Sequence, residues 1–392
     1  MASERPGATE MDFGYSEEQK ALRDSIVRFA RAELNRDTVK RDREETFSRE
    51  IWRRCAQVGL LGLVAPESYG GSGAEPLDCA IALEALGYGC KDGGLAFSIA
   101  AHLLACVVPI WQHGNDAQKD RWLKGLCDGT FIGAHAITEP DSGSDTFAMR
   151  TRAERVEGGW RLSGSKTFVS NAPVADVVVA FAVTDASKGF AGGVTGFLVE
   201  RGLPGFNAGQ RFAKMGLRTA PIGELVFDGV VVPDTAVLGS VGGGAAVFGT
   251  AMDWERTLLV ALHVGTIERL LETSIAYAKS RKQFGQSIGK FQAIAHKIAD
   301  MKVQLEAARL LVYRTAMRLT TTRAISLDAS IAKLFVSESL VKTALDAVQL
   351  HGGYGYMAEY EVERALRDAI GATIYSGTSE MQRNIIARWL GL

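Results

Sequence analysis

Cysteine is sparse: Cys55, Cys79, Cys90, Cys106 and Cys127 are odd in number, unevenly spaced and include no CxxC pair. That spacing excludes a paired-cysteine zinc site and a CxxC redox centre, so the five read as reduced, mostly buried thiols, and no metal site is expected. An excess of either charge is also lacking. Lys+Arg 44 against Asp+Glu 45 leaves a formal net charge of -1, so no global field draws the chain to nucleic acid or to an anionic membrane. No apolar run reads as long enough to span a membrane, and the opening MASERPGATEMDFG has neither block of a signal peptide. The expectation is a cytoplasmic protein with a loose tail ahead of its first helix, and with neither nucleic acid nor membrane as partner.

Apolar material is plentiful: 392 residues at 47% hydrophobic are enough for two or three domains with real cores. Ser16 and Gln19 form a capping box ahead of Leu22, Ile26, Phe29 and Ala30, which step at helical spacing. Helical patterning continues over 51–61, 77–87 and 94–112, and His102 within it reads as a satisfied core histidine. From 151 to 233 short runs such as VVVAFAV and ELVFDGVVV follow closely between turn residues, with a hairpin expected at Gly158 and Gly159. Beyond the glycines at 242–244 the sequence is helical. Ile294, Ile298, Met301, Leu305, Ala308 and Val312 mark a bundle seam, and further helices are expected at 327–350 and 380–390. The expected fold class is α+β: an N-terminal helical domain (1–130), a middle β-barrel or sandwich domain (131–242) and a C-terminal four-helix bundle (243–392).

One segment, AMDWERTLLVAL (251–262), places a single carboxylate in an apolar stripe. On a 3.6-residue period Glu255 shares its face with Ala251, Met252, Leu258, Leu259 and Leu262. Burial would raise its pKa, as a base working near neutral pH requires. Pairing with Arg256 or another cation is the alternative.

Four further stretches give this carboxylate a context: AITEPDSGSD (136–145), RKQFGQSIGKFQ (281–292), QLHGGYGY (349–356) with ERALRDA (363–369), and IYSGTSEMQRNIIAR (374–388). Together they resemble the acyl-CoA dehydrogenase family of FAD flavoproteins, and weaker matches between them extend the resemblance over nearly the whole chain. It implies FAD as cofactor and an acyl thioester as substrate, with α,β-dehydrogenation as the reaction. It also implies an electron acceptor such as an electron-transfer flavoprotein, and a homo-oligomer, dimer or tetramer.

Carried over by position, Thr138 and Ser144 lie at the flavin edge and pyrophosphate, with Phe168 on the ring and Ser170 near N5. Many members have Trp and Thr at those last two positions. Arg281, Phe284 and Gln292 would come from one protomer, Gln349, Gly352 and Gly353 from its neighbour, and Thr378 and Glu380 would serve the adenosine side. Ser376 stands where many members carry the catalytic Glu. Some, such as the isovaleryl-CoA dehydrogenases, place the base on the long helix instead, in a segment like MDWER. Glu255 then takes the proton, while the Ser376 N–H and a ribityl hydroxyl hold the thioester carbonyl. Trp254, Arg256 and Tyr375 are expected to shape the substrate site.

NAPVAD (171–176), the WER of 254–256 and YSGTSEMQ (375–382) also resemble the prolyl-carrier-protein dehydrogenases. CoA is the first expectation and a carrier-held aminoacyl group the alternative, with Arg211, Lys214 and Arg218 compatible with either. A catalytically silent partner subunit and a flavin oxidase or oxygenase on the same fold are the readings from other classes.

Overall fold

A computed structural model describes residues 14–322 and 325–392; the tail expected over 1–13 lies outside them. The chain begins with α1 (Glu17–Phe29), capped as its sequence dictates: Ser16 Oγ accepts the Gln19 N–H and the Gln19 side chain accepts the Ser16 N–H. Then come α2 (Thr38–Glu44), α3 (Arg49–Gln57), α4 (Pro76–Gly89) and α5 (Gly93–His102), which passes through a π-helical turn into α6 (Val108–His113), and α7 (Asp116–Cys127). The stretch Gly93–His113 corrects the expectation about apolar runs. Its 21 residues, with a mean hydropathy of 1.9, are long and apolar enough to cross a bilayer, but 89% of the scored window is buried inside the protein. It is a core helix. His102 within it is satisfied: Nδ1 accepts the Gly133 N–H, Nε2 donates to the Leu126 carbonyl, and burial pushes its pKa down to about 4.

The middle region holds β1 (Gly133–Ala136), β2 (Arg152–Val156), β3 (Gly159–Ser170), β4 (Val177–Val183), the short α8 (Gly189–Gly193), β5 (Val194–Glu200), β6 (Phe206–Arg211), β7 (Ile222–Pro233) and β8 (Val237–Leu238). They form one eight-stranded mixed sheet in the order β6-β7-β3-β2-β4-β5-β8, with β1 parallel to β4. The anticipated hairpin joins β2 to β3. The two halves of the sheet meet through the single pair Arg152 and Val183 and fold over a shared core, where Trp160 of β3 meets Phe197 of β5 edge to face. β4 is buried on both faces, which explains its unbroken VVVAFAV. Val177, Val179 and Phe181 join the core shared with the helices, while Val178, Ala180 and Ala182 fill the sheet's own core.

Five helices follow: α9 (Gly244–Ser280), α10 (Gln292–Arg318), α11 (Ile325–His351), α12 (Glu361–Ala372) and α13 (Ser379–Trp389). The first three pack lengthwise, and the bundle's fourth position is divided between α12 and α13, both resting on α11. The α10 seam is buried from Met301 through Val312, whereas Ile294 and Ile298 near its start are only half-buried.

The N-terminal region is locked to the bundle where α4 crosses α9. A Cβ on Gly87 would stand 2.0 Å from the Leu262 carbonyl oxygen, and one on Gly265 would stand 2.0 Å from that of Glu84. Backbone meets backbone at this crossing, so any side chain must push the helices apart. A buried ion pair ties α4 to α10 beside it, with Arg309 donating to Glu84 at 2.7 and 2.9 Å.

Gly265→Ala should therefore destabilise the fold by at least the ~1–3 kcal/mol of overpacking. Gly249→Ala on the same helix, where a Cβ meets nothing within 4 Å, should be neutral or stabilising by about 0.5–1 kcal/mol. Chemical denaturation of the two variants measures the difference.

Candidate active site

Glu255 lies where its helical face dictates, 8% exposed, with Ala251, Met252, Leu258, Leu259 and Leu262 buried around it. It forms no ion pair among the described residues: Arg256 directs Nε to the Ser376 carbonyl at 2.9 Å. The polar partner of Glu255 is Ser376, whose Oγ–H donates to Oε1 at 2.7 Å. The two sequence positions at which a base was sought are thus one place in space. Burial raises the Glu255 pKa, while the Ser376 hydroxyl and then the charges of Arg256 and Lys333 pull it partly back.

The loop between α12 and α13 presents Ser376 in a left-handed conformation, φ 56, with Gly377 following at φ 89. For a non-glycine residue this costs about 1–3 kcal/mol, and its surroundings hold it there. Gln382 Nε2 donates to the carbonyls of Ser376 and Gly377 at 3.2 and 2.8 Å, and Lys333 Nζ donates to that of Gly377 at 2.7 Å. The Ser376 N–H has no acceptor among the described residues, so it is a donor free to meet a carbonyl. Lys333 is 1% exposed, and burial followed by Arg256 brings its ammonium down to about 8. Sequence reading missed Lys333 and Gln382; the signal was a lone lysine inside the apolar run SIAKLFV.

Tyr375 bonds His263 Nε2 at 2.8 Å and packs on Phe97 at 4.7 Å. Burial drives His263 down to about 3, so the ring is neutral. These three side chains line a cavity of about 40 Å³. Trp254 and Arg256 do not line it: Trp254 packs edge-on against Trp111 in the core, and Arg256 holds the loop.

The expected cofactor residues fall in three places. Arg281, Phe284, Gly352 and Gly353 line one open cleft of about 790 Å³. Within one chain the end of α9 lies against the end of α11, with Tyr277 stacked on His351 at 4.2 Å, which brings members of both expected sets to this cleft. Gln292 and Gln349 are exposed but do not line it. In the second place, Thr138 accepts the Thr167 N–H through its carbonyl, and Ser144 is exposed. The fully buried Lys166 holds the adjacent Glu139 at 2.8 Å. Bulges in β3 turn Phe168 outward at φ 53 and 62% exposure, with Ser170 half-buried at the strand's end. In the third, Thr378 caps α13 by accepting the Met381 N–H, and Glu380 lies exposed in its first turn. Phe168 and Phe284 (φ 50, 93% exposed) are both strained aromatics open to solvent. A flat, largely apolar cofactor flanked by a pyrophosphate fits them and Arg281.

The raised Glu255 pKa makes its charge a stability cost at neutral pH. The folded state binds the proton more tightly than the unfolded one, so the cost is absent below the unfolded carboxyl pKa, about 4.3, and fully present above the folded one. Glu255→Gln should raise the thermal midpoint at pH 8 and lose that advantage at pH 4, as thermal melts across pH would show.

The family description "Acyl-CoA dehydrogenase, N-terminal domain" matches residues 16–130, the middle domain 134–230 and the C-terminal domain 242–391. The chain is 42% identical over 382 residues to the L-prolyl-[peptidyl-carrier protein] dehydrogenase of Serratia sp. (strain ATCC 39006), covering 97% of this chain and 99% of that protein. The "Crystal Structure of the Prolyl Acyl Carrier Protein Oxidase AnaB" superposes with a TM-score of 0.94 at 43% identity, covering 97% of this chain and 100% of that one. The structure titled "PigA with FAD and proline" does so with a TM-score of 0.95 at 41% identity and the same coverage. Matched along its length in all three parts, the chain belongs to the acyl-CoA dehydrogenase family.

Proposed function

We propose that this FAD-dependent dehydrogenase oxidises the Cα–Cβ bond of a prolyl group held as a thioester on a carrier protein. The observation that carries the reaction class is the convergence of Glu255 and Ser376 beside an unused backbone N–H. The thioester carbonyl accepts from the Ser376 N–H, which acidifies the α-proton, and Glu255 removes it from an apolar setting that keeps the carboxylate basic. FAD, when bound, accepts the hydride from Cβ. Phe168 and the loop of Thr138 and Ser144 serve its ring, and Arg281, Phe284, Gly352 and Gly353 serve its pyrophosphate end.

The sequence put CoA first; the 42% identity to a prolyl-carrier dehydrogenase favours the carrier. Lys214 Nζ donates to the Ala220 carbonyl at 2.6 Å and Arg218 Nε to the Lys214 carbonyl at 3.0 Å, and since each keeps its charge and further N–H donors, these cations are compatible with either substrate. For the acceptor we propose an electron-transfer flavoprotein. Dioxygen is the second reading, favoured by the similarity to a prolyl acyl carrier protein oxidase, and peroxide release during aerobic turnover decides between them. A cytoplasmic location is part of this reading, in keeping with five free, buried thiols.

Anaerobic flavin reduction compared among a prolyl-loaded carrier, isovaleryl-CoA and butyryl-CoA tests the substrate. Reduction by the carrier-held group is expected, and reduction by the CoA thioesters alone overturns it. Glu255→Gln should slow reduction by ~10²–10⁴-fold, and a near wild-type rate would leave the enzyme without this base. We also propose a homo-oligomer, since Phe284 at the cleft is 93% exposed, Tyr356 is 80% exposed, and Val303 and Met317 on α10 are 68% and 65% exposed. Light scattering of the yellow protein should give a dimer or tetramer, and Arg281→Ala should lower its FAD content.

A further inference from the structure

We propose that Ser376 is the positioning residue of the base: its hydroxyl pins Oε1 of Glu255 and leaves Oε2 as the atom that takes the substrate's proton. The inference rests on Glu255 being the base. α9 fixes where the glutamate begins, but the apolar neighbours Ala251, Met252, Leu258 and Leu259 offer no polar atom to select among its rotamers. The selection comes from the opposite side, where Ser376 Oγ stands 2.7 Å from Oε1.

That hydroxyl is itself held. Ser376 sits at φ 56, and the loop cannot relax because Arg256 and Gln382 grip its carbonyl while Lys333 and Gln382 grip the next. The strained loop thus directs the Ser376 hydroxyl at Glu255 and leaves the backbone N–H of the same residue without an acceptor among the described residues.

The proton balance follows from the hydrogen bond. The α-C–H bond breaks and its proton goes to Oε2. The electron pair left on Cα becomes the second bond of the Cα–Cβ double bond as the hydride leaves Cβ for FAD. Glu255 ends as a neutral acid whose Oε1 still accepts from Ser376, so the anchor survives the transfer, and the proton passes to water once product has left.

The same hydroxyl favours the ionised carboxylate against the cost of burial. The charged groups acting on Glu255 are Arg256 on α9 and Lys333 on α11, with the uncharged Tyr375 facing it from the loop; His263 is neutral in the working range. Removing the hydroxyl leaves those groups in place and raises the Glu255 pKa. A higher pKa means that the base is ionised only at higher pH, so the acid limb of the rate profile moves up, and the rate above that limb falls because the carboxylate is no longer held in one rotamer.

The test is anaerobic flavin reduction against pH for the holoenzyme and for Ser376→Ala and Ser376→Gly. The glycine variant relieves the backbone strain, so it folds even if the alanine variant is weakened. Both should move the acid limb up by about one pH unit, the worth of a hydrogen bond to a charged group, and lower the plateau rate as well, because the carboxylate loses the contact that selects its rotamer. The infrared band of protonated Glu255, assigned by its loss in Glu255→Gln, should titrate with the same shift. An unmoved limb and band in correctly folded, flavin-loaded variants overturns the positioning role. Flavin reduction by Glu255→Gln at the wild-type rate overturns the base assignment itself, whatever the Ser376 variants do.

Discussion

A carboxylate inside an apolar helix face is the constraint around which this active site is built. Burial raises the Glu255 pKa, and the apolar neighbours on its face leave the side chain undirected. The loop between α12 and α13 supplies a hydroxyl on Oε1, and Arg256 of α9 and Lys333 of α11 add their charges behind it. Those cations do not pair with Glu255. They hold the carbonyls of Ser376 and Gly377, and so act on the base through the loop's shape as well as through their fields.

On the proposed reading, position 376 contributes to the chemistry with a serine in place of the carboxylate expected there from the family resemblance. A site that can seat its base at either of two sequence positions must bring both within reach of the same reacting carbon. The Ser376 to Glu255 hydrogen bond is the direct sign of that overlap. It also argues against a silent subunit, since a degenerate site has no reason to retain a strained loop aimed at a buried carboxylate.

Much of the architecture was legible before any coordinates. The order helix, sheet, helix followed from the shift between 3.6- and 2-residue periods, and the Glu255 face and the Ser16 cap from spacing alone. Other features rest on long-range partners that no local pattern encodes. The ties of Lys333 and Gln382 to the loop join positions far apart in sequence, and the cofactor cleft needed the ends of α9 and α11 to be placed side by side. The apolar run 93–113 went unrecognised because two glycines, two histidines, a serine, a proline and a glutamine break it up to the eye, although its mean composition does not. β4 was read correctly as a strand, yet only the sheet shows that both its faces are covered.

That apolar run has a consequence for how the chain comes off the ribosome. α5, the π-helical turn and α6 bury themselves largely against α9, which begins at Gly244, so the segment is complete long before its partner exists. The backbone contacts of Gly87 and Gly265 join the same two regions. The N-terminal helices are thus half of a core whose other half is synthesised last, and they cannot finish folding as a separate unit. During translation a stretch with the hydropathy of a bilayer-spanning helix waits uncovered while the whole β region is made, and a nascent chain stalled or truncated in that region would expose it to aggregation.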